Sequence, residues 1–407
     1  MLYFIVLFVI LFGIYKFDYR NSQQGRLLLW VLLCVTLICI AGFRYRVGGD
    51  TIQYMNYFKK AHILSDLKPI DFVSTRFAPG FVLFISTCKT ISQDFMLVQF
   101  AVSIIINTVV FRFLWLHTRH IYFALLLYAV LFYFVLNTEV IRETLAVSIF
   151  LLSWPFFKEG KWLQYYFMAL IACFFHISAF CLLLLPLVNM PGLRYFFTFG
   201  KRLWFITLAL FMLGLTLNYL FIDFIKVIAF TEQMVDQANL YDRTDLAGAK
   251  SLNIFGILTR AIRYVIYPLC AIYFINKNFN DRKKLGIGLI KMERLTICSV
   301  YICILAFGVF ILQRYNNYLF IFPIILMSDW IFSILNVGGR KIRLQFISWC
   351  IIFVPMFFLS FYSYYFHPEN REGTLKTYMT YYPYKTWFSK ETDEKREKLI
   401  RYLNRPK

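Results

Sequence analysis

The chain is 407 residues long, 60% hydrophobic, 20% aromatic and 16% charged. Soluble globules carry about a quarter charged residues, so this composition excludes one and leaves a polytopic membrane protein. The net charge of +21 would suggest nucleic acid in a soluble chain. Here the basic residues lie mostly between apolar runs, where they set orientation and meet anionic lipid, and nucleic acid is excluded as a partner.

Apolar runs of bilayer-crossing length, about 20 residues or somewhat shorter with aromatic flanks, recur from the first residue onward. They predict an all-α fold with about twelve transmembrane helices. The spans fall near residues 1–15, 27–43, 95–115, 121–136, 143–157 and 162–175, and then near 176–188, 203–222, 254–275, 295–312, 317–335 and 344–366. The first run has no basic n-region and no small-residue cleavage site, so it is expected to be a retained span. Residues 79–92 are too short for a straightforward span and read as a re-entrant or interfacial helix. The run 162–188 is too long for one straight helix and divides at His176. Residues 1–366 are thus expected as a single polytopic domain with outer loops at 44–78 and 223–253, followed by a charged tail at 367–407. All nine cysteines lie in apolar segments without a CxxC pair, which argues against a disulfide framework and against a metal site.

The polar stretch RYRVGGDTIQY, residues 44–54, begins where the second run ends. Arg44 and Arg46 offer planar forks suited to phosphate oxygens. Gly48 and Gly49 permit backbone geometry and bare amides that can approach an anion. Asp50 is the group in this stretch that could accept a proton, and Tyr54 could stack on a sugar ring. A basic helix end followed by a tight turn is the competing account.

This stretch resembles the Arg, Gly-x-Asp, x-x-x-Tyr signature of the EpsG-type, Wzy-like bacterial polysaccharide polymerases. Ile141-Arg142-Glu143-Thr144-Leu145-Ala146 and Phe175-His176-Ile177-Ser178-Ala179 resemble further stretches of that family, in the same order. Glu143 departs from the pattern, which usually has Gln there. The resemblance covers the first half of the chain and implies a glycosyltransferase that joins polyprenyl-diphosphate-linked oligosaccharide repeat units. It implies no cofactor and no metal. As pathway partners it implies a chain-length regulator and a flippase, besides membrane lipid.

The positive-inside rule assigns the loops holding Arg112, Arg119, Lys158, Lys161 and Lys283 to the cytoplasm. Residues 44–76, the 137–142 turn, the 223–253 loop and the tail then lie outside, across the cytoplasmic membrane of a bacterium. Arg142 opens a helix at that outer rim beside Glu139 and Glu143, where a solvated cap is the alternative to a ligand. Arg260 and Arg263 sit one turn apart on an apolar helix, and charge at that depth reads as functional unless it snorkels. Arg314 with Tyr315 repeats the theme at another outer junction, and Arg243 in the outer loop is a further candidate contact. His176 matches the family stretch, although a lone histidine in apolar sequence often only packs.

In the mechanism so implied, arginines stabilise the diphosphate leaving group, and Asp50 or His176 takes the proton of the attacking sugar hydroxyl. Residue chemistry alone leaves the base open between those two. A membrane O-acyltransferase using His176, a lipid-linked glycan ligase and a flippase are the alternatives. The acyltransferase does not account for so many outer arginines. A flippase should show two similar halves, and the chain has no internal repeat.

Overall fold

The computed structural model describes residues 2–197, 201–228, 291–308, 312–337 and 373–403, with scattered positions between 347 and 366. The chain divides into two compact units, Met1–Pro186 together with Phe366–Lys407, and Leu187–Tyr365. The regular structure is helical throughout the described residues, and one isolated antiparallel bridge joins Arg44 to Thr386.

In chain order the first unit begins with α1 (Leu2–Gly13), which continues as a π-helix over Ile14–Tyr19. There follow α2 (Arg26–Gly42), the short α3 (Thr51–Lys60), α4 (Pro69–Val73), α5 (Pro79–Ile91), α6 (Met96–His117) and α7 (Ile121–Leu131). A π-helix over Val135–Glu139 leads into α8 (Ile141–Glu159) and α9 (Trp162–Phe175). Leu2–Tyr19 and Met96–His117 are long and apolar enough to cross a membrane, while α2, α5, α7 and α9 are shorter apolar helices. The outward faces of α1 and α2, with Phe4, Phe8, Leu28 and Leu32 exposed, suit lipid rather than water.

Local chemistry explains several boundaries. Proline opens α5 at its first position, where no backbone N–H is needed. Gly160, with φ of +78°, closes α8 in the left-handed conformation that glycine adopts without strain. Pro155 lies inside α8, a placement that neighbouring helices make tolerable in a membrane bundle. On α6 the polar residues Gln99, Ser103 and Asn107 fall four apart on one buried face. Ser103 donates to the Ile38 carbonyl of α2 at 2.9 Å. Asn107 donates to Asn137 Oδ1 at 2.8 Å, and Tyr128 of α7 donates to Asn107 Oδ1 at 3.2 Å. Buried amides must be bonded, so this network pins the π-helix that carries Glu139 against α2, α6 and α7.

The C-terminal segment belongs to the first unit. A 3-10 turn over Thr377–Thr380 and a terminal helix, Glu394–Leu403, pack together. Arg396 is buried there and donates to the Met379 carbonyl at 2.9 Å. The segment set apart in the sequence as a charged tail is therefore folded onto the N-terminal helices over its described residues.

The second unit contains α11 (Lys201–Ile228), reached from α9 through short helical turns that include α10 (Cys181–Leu184) of the first unit. It packs on α12 (Lys291–Gly308) through Leu203, Ile297, Val300 and Ile304. There follow α13 (Gln313–Leu319) and α14 (Ile321–Val337), and Ser299 of α12 donates to Asn316 of α13.

Most expected spans in the described residues coincide with helices: 27–43 falls on α2, 95–115 on α6, 143–157 on α8 and 162–175 on α9. The run 121–136 differs, because its α-helix stops at Leu131 and the chain resumes as the π-helix Val135–Glu139. The run 317–335 also differs, with a break at Phe320 between α13 and α14. The run 254–275, most of 344–366 and the loop beyond residue 228 lie outside the described residues.

Candidate functional site

The Gly-Gly stretch is built against the C-terminal end of α2. Beyond Gly42 the Arg44 side chain turns back, donating to the Ala41 carbonyl and, at 3.2 Å, to the Val47 carbonyl. It is 2% exposed. The first of those bonds satisfies a carbonyl that the helix end leaves open and the second ties the turn back on itself, so in this structure Arg44 shapes the turn. Burial works against its charge, while Tyr133, Glu139, Tyr384 and Tyr3 support it. Arg46 adopts φ of +54°, uncommon for a residue with a side chain. Its guanidinium forms a two-pronged pair with Glu397 of the terminal helix, with Nη2 to Oε2 at 2.7 Å.

The C-terminal segment also bonds the backbone of this stretch. Tyr45 N–H donates to Lys385 O at 2.8 Å, Gly48 N–H to Thr380 O at 3.1 Å, and Trp387 N–H to Phe43 O at 3.0 Å. The Trp387 indole donates to Gln99 Oε1 of α6 at 2.8 Å.

Gly48, with φ of +108°, lies so close to the π-helix that a Cβ there would fall 2.8 Å from the Thr138 carbonyl oxygen. The bare amides that follow do hold an anion, and it is the protein's own. Gly49 N–H donates to Glu139 Oε1 at 2.9 Å and Asp50 N–H to Glu139 Oε2 at 3.3 Å. Burial and then the charge of Asp50 raise the Glu139 carboxyl above its ordinary value, against the bonds from Gly49, Tyr381 and Asp50. Glu139 is thus held at the start of α3, close enough to Asp50 for the two charges to oppose each other. Asp50 is the backbone N-cap of α3, yet its side chain makes no capping bond.

One turn further on, Tyr54 is 4% exposed, and its hydroxyl accepts from Arg142 Nε of α8 at 3.3 Å. The Arg142 guanidinium also lies 4.7 Å from the centre of the Phe77 ring and 5.9 Å from that of Tyr54. Burial raises the Tyr54 phenol, Arg142 opposes that rise and the Asp50 charge adds to it. Asp50, Tyr54, Arg142 and Glu139 therefore form one constellation, on the core cluster that includes Tyr54, Phe77, Phe81 and Ile141. Glu143, where the sequence departs from the family pattern, is 2% exposed in the first turn of α8.

His176 ends α9, and the preceding Phe175 packs against the same core cluster. Its Nδ1 accepts from Ser178 N–H at 3.3 Å and pairs with the Ser178 hydroxyl, so it caps the next helical turn. A neutral imidazole with an accepting Nδ1 carries its hydrogen on Nε2. Arg314 is exposed on α13 and Tyr315 is half-buried beside it, both in the second unit. Arg243, Arg260 and Arg263 lie outside the described residues. Among the described residues no three His, Cys, Asp or Glu side chains gather as a metal would need.

In the sequence Glu139 reads only as a rim acid, and Tyr381, Trp387 and Glu397 carry no local sign of their part in the site. The spacing of Gln99, Ser103 and Asn107 on α6 was a readable sign that this helix buries a polar face toward the turn. A family model described as the EpsG family matches residues 27–386. No curated protein and no solved structure matches the chain.

Proposed function

The chain belongs to the EpsG family of Wzy-like polysaccharide polymerases, and from that premise we propose that it joins polyprenyl-diphosphate-linked oligosaccharide repeat units into a surface polysaccharide. The reaction takes place at the outer face of the bacterial cytoplasmic membrane. About twelve membrane-spanning helices carry it, with α5 re-entrant or interfacial and residues 44–78 and 223–253 in outer loops. The observation that carries the reading is the bond between Arg142 and Tyr54 beside Asp50. It joins two stretches, far apart in sequence, that each resemble the family.

In this mechanism a hydroxyl of the acceptor sugar attacks the anomeric carbon of the donor. The bond from that carbon to the phosphate oxygen breaks, and the lipid diphosphate leaves with the electron pair. The hydroxyl proton passes to Asp50. Arg142 faces the developing charge on the diphosphate, and the fork of a guanidinium suits two phosphate oxygens at once. What favours Asp50 over His176 as the base is tautomer chemistry: the accepting nitrogen of His176 is already used by Ser178. Arg44 and Arg46 act by holding the turn. Arg243, Arg260, Arg263, Arg314 and Tyr315 remain proposed contacts to the glycan or its diphosphate.

Membranes containing the protein and a polyprenyl-diphosphate-linked repeat unit should yield a ladder of chain lengths on a gel. Arg142→Lys keeps the charge but loses the fork and should reduce that ladder at least about ten-fold while the protein accumulates normally. Glycan delivered only to a non-carbohydrate acceptor would make the protein a ligase instead. The outer location has its own test, for which Thr51 is unsuitable because it is 1% exposed and bonded to Val47 O. A cysteine at the exposed Ser65 should react with an impermeant thiol reagent in intact cells, and one at the exposed Lys161 only after lysis. The reverse pattern would invert the orientation.

A further inference from the structure

We propose that Arg76, together with Arg142, forms a two-guanidinium seat for the diphosphate of the lipid-linked donor, with the Phe77 ring as its floor. The inference rests on the polymerase reading above and adds a residue and a ligand geometry to it.

Both guanidiniums lie against the same buried ring. The Arg142 guanidinium carbon is 4.7 Å from the Phe77 centroid and that of Arg76 is 5.5 Å away. The two cations can therefore be no farther apart than those distances combined. Each is otherwise held by a neutral partner: Arg142 by the Tyr54 hydroxyl and Arg76 by the Gln53 side-chain oxygen. Gln53 and Tyr54 are consecutive on α3, so this one helix orients both arginines.

The surrounding basic groups are disposed of differently. Arg46 is paired with Glu397 and His62 with Asp71. Lys89 donates to the Phe58, Lys59 and Ala61 carbonyls at the end of α3. Among the described residues, Arg76 and Arg142 make no ion pair with a carboxylate. A guanidinium has five N–H donors, and one neutral acceptor apiece leaves most of them for another partner.

Two like charges against one ring repel each other, and an anion bridging them removes that cost. Cation–π contact with Phe77 fixes where the cations sit but accepts none of their hydrogen bonds. Two forks separated by an aromatic ring match two linked phosphoryl groups better than a single phosphate. Arg76 is exposed, so it meets the ligand from the solvent side, while the half-buried Arg142 receives it beside the buried Tyr54.

The test uses the full-length protein in nanodiscs, with inorganic pyrophosphate as probe and binding followed by titration calorimetry. Arg76→Gln should weaken binding by roughly ten-fold, Arg76→Lys by less, and Arg142→Gln by at least as much as Arg76→Gln. Arg76 is on the surface, so unchanged thermal unfolding of its variants separates lost binding from lost folding. Inorganic phosphate should bind more weakly than pyrophosphate, and equal affinity would overturn the two-site geometry. Nanodiscs of phosphatidylcholine alone and with added phosphatidylglycerol distinguish a diphosphate from a lipid headgroup. Binding should persist in both, whereas its abolition by phosphatidylglycerol would assign the arginines to bulk lipid and overturn the proposal.

Chain formation in the same preparations reports on the polymerase separately. Wild-type protein that builds chains but binds pyrophosphate no better than Arg76→Gln overturns the seat and leaves the polymerase standing. Pyrophosphate binding that depends on Arg76, without any chain formation, does the opposite.

Discussion

Asp50→Asn should leave single repeat units on the lipid and reduce polymer by roughly 100- to 10,000-fold, the range over which a general base contributes. The substitution keeps the shape of the side chain, and the backbone bonds of the turn stay in place: Asp50 N–H to Glu139 and Tyr54 N–H to the Asp50 carbonyl at 3.1 Å. A loss of that size with normal protein abundance is a loss of chemistry rather than of fold. His176→Gln should lose far less, because a glutamine oxygen can still accept the Ser178 amide that His176 Nδ1 accepts now. Gel analysis of lipid-linked glycans from cells carrying each variant checks both outcomes. Chains of normal length and amount from Asp50→Asn would remove it as the base and pass the role to Glu139, whose raised carboxyl lies beside the same turn, or to the substrate.

Trp387→Ala should strongly destabilise the first unit while touching none of the reacting groups. Trp387 is 9% exposed, stands edge-on to Tyr45 with ring centres 4.9 Å apart, and donates through its indole to Gln99 at 2.8 Å. Truncating a buried tryptophan costs about 3–5 kcal/mol, and here it also strands the Gln99 oxygen on the buried face of α6. Thermal unfolding of the purified protein should therefore start several degrees lower, and polymer should fall with it because Tyr45 and Gly48 lose their clamp. Trp387→Phe keeps an aromatic ring beside Tyr45 but removes the bond to Gln99, so it should cost less, with about 1–3 kcal/mol from the stranded Gln99 oxygen. Unchanged unfolding and activity in the alanine variant would mean that the C-terminal segment merely rests on the turn.

Much of the helical framework is legible in the amino-acid order, because the signals are local. The run 162–175 and the helix Trp162–Phe175 share their ends; before it a lysine and after it a histidine leave the apolar stretch. Gly160 marks the close of α8 for a conformational reason visible in one residue. Where two helices differ from expectation, the apolar run continues while the backbone changes. Asn137 and Thr138 sit in an otherwise hydrophobic segment and bond to the carbonyls of Tyr133 and Phe134 at 3.0 and 2.7 Å, within a π-helical turn that hydropathy does not register. The family was legible for the same local reason: its three stretches are contiguous.

The roles of the motif arginines were decided by tertiary structure. Arg44, Arg46 and Arg142 carry the same fork, and read in isolation all three suit a phosphate. In the folded unit Arg44 bonds the Ala41 and Val47 carbonyls on either side of it, Arg46 is matched to an acid 351 residues away, and Arg142 faces a tyrosine hydroxyl and an aromatic ring. Likewise the Gly-Gly stretch reads as a place where bare amides can approach an anion, but in the folded unit the Gly48 amide bonds the Thr380 carbonyl, and those of Gly49 and Asp50 meet Glu139, brought across by the π-helix from a position 90 residues after Gly49. The amino-acid order by itself determined the apolar helices and the family, since backbone groups in an apolar medium must bond within their own segment. Only the tertiary structure decided which charges pair with one another, because a long-range ion pair leaves no periodicity in either of the segments it joins.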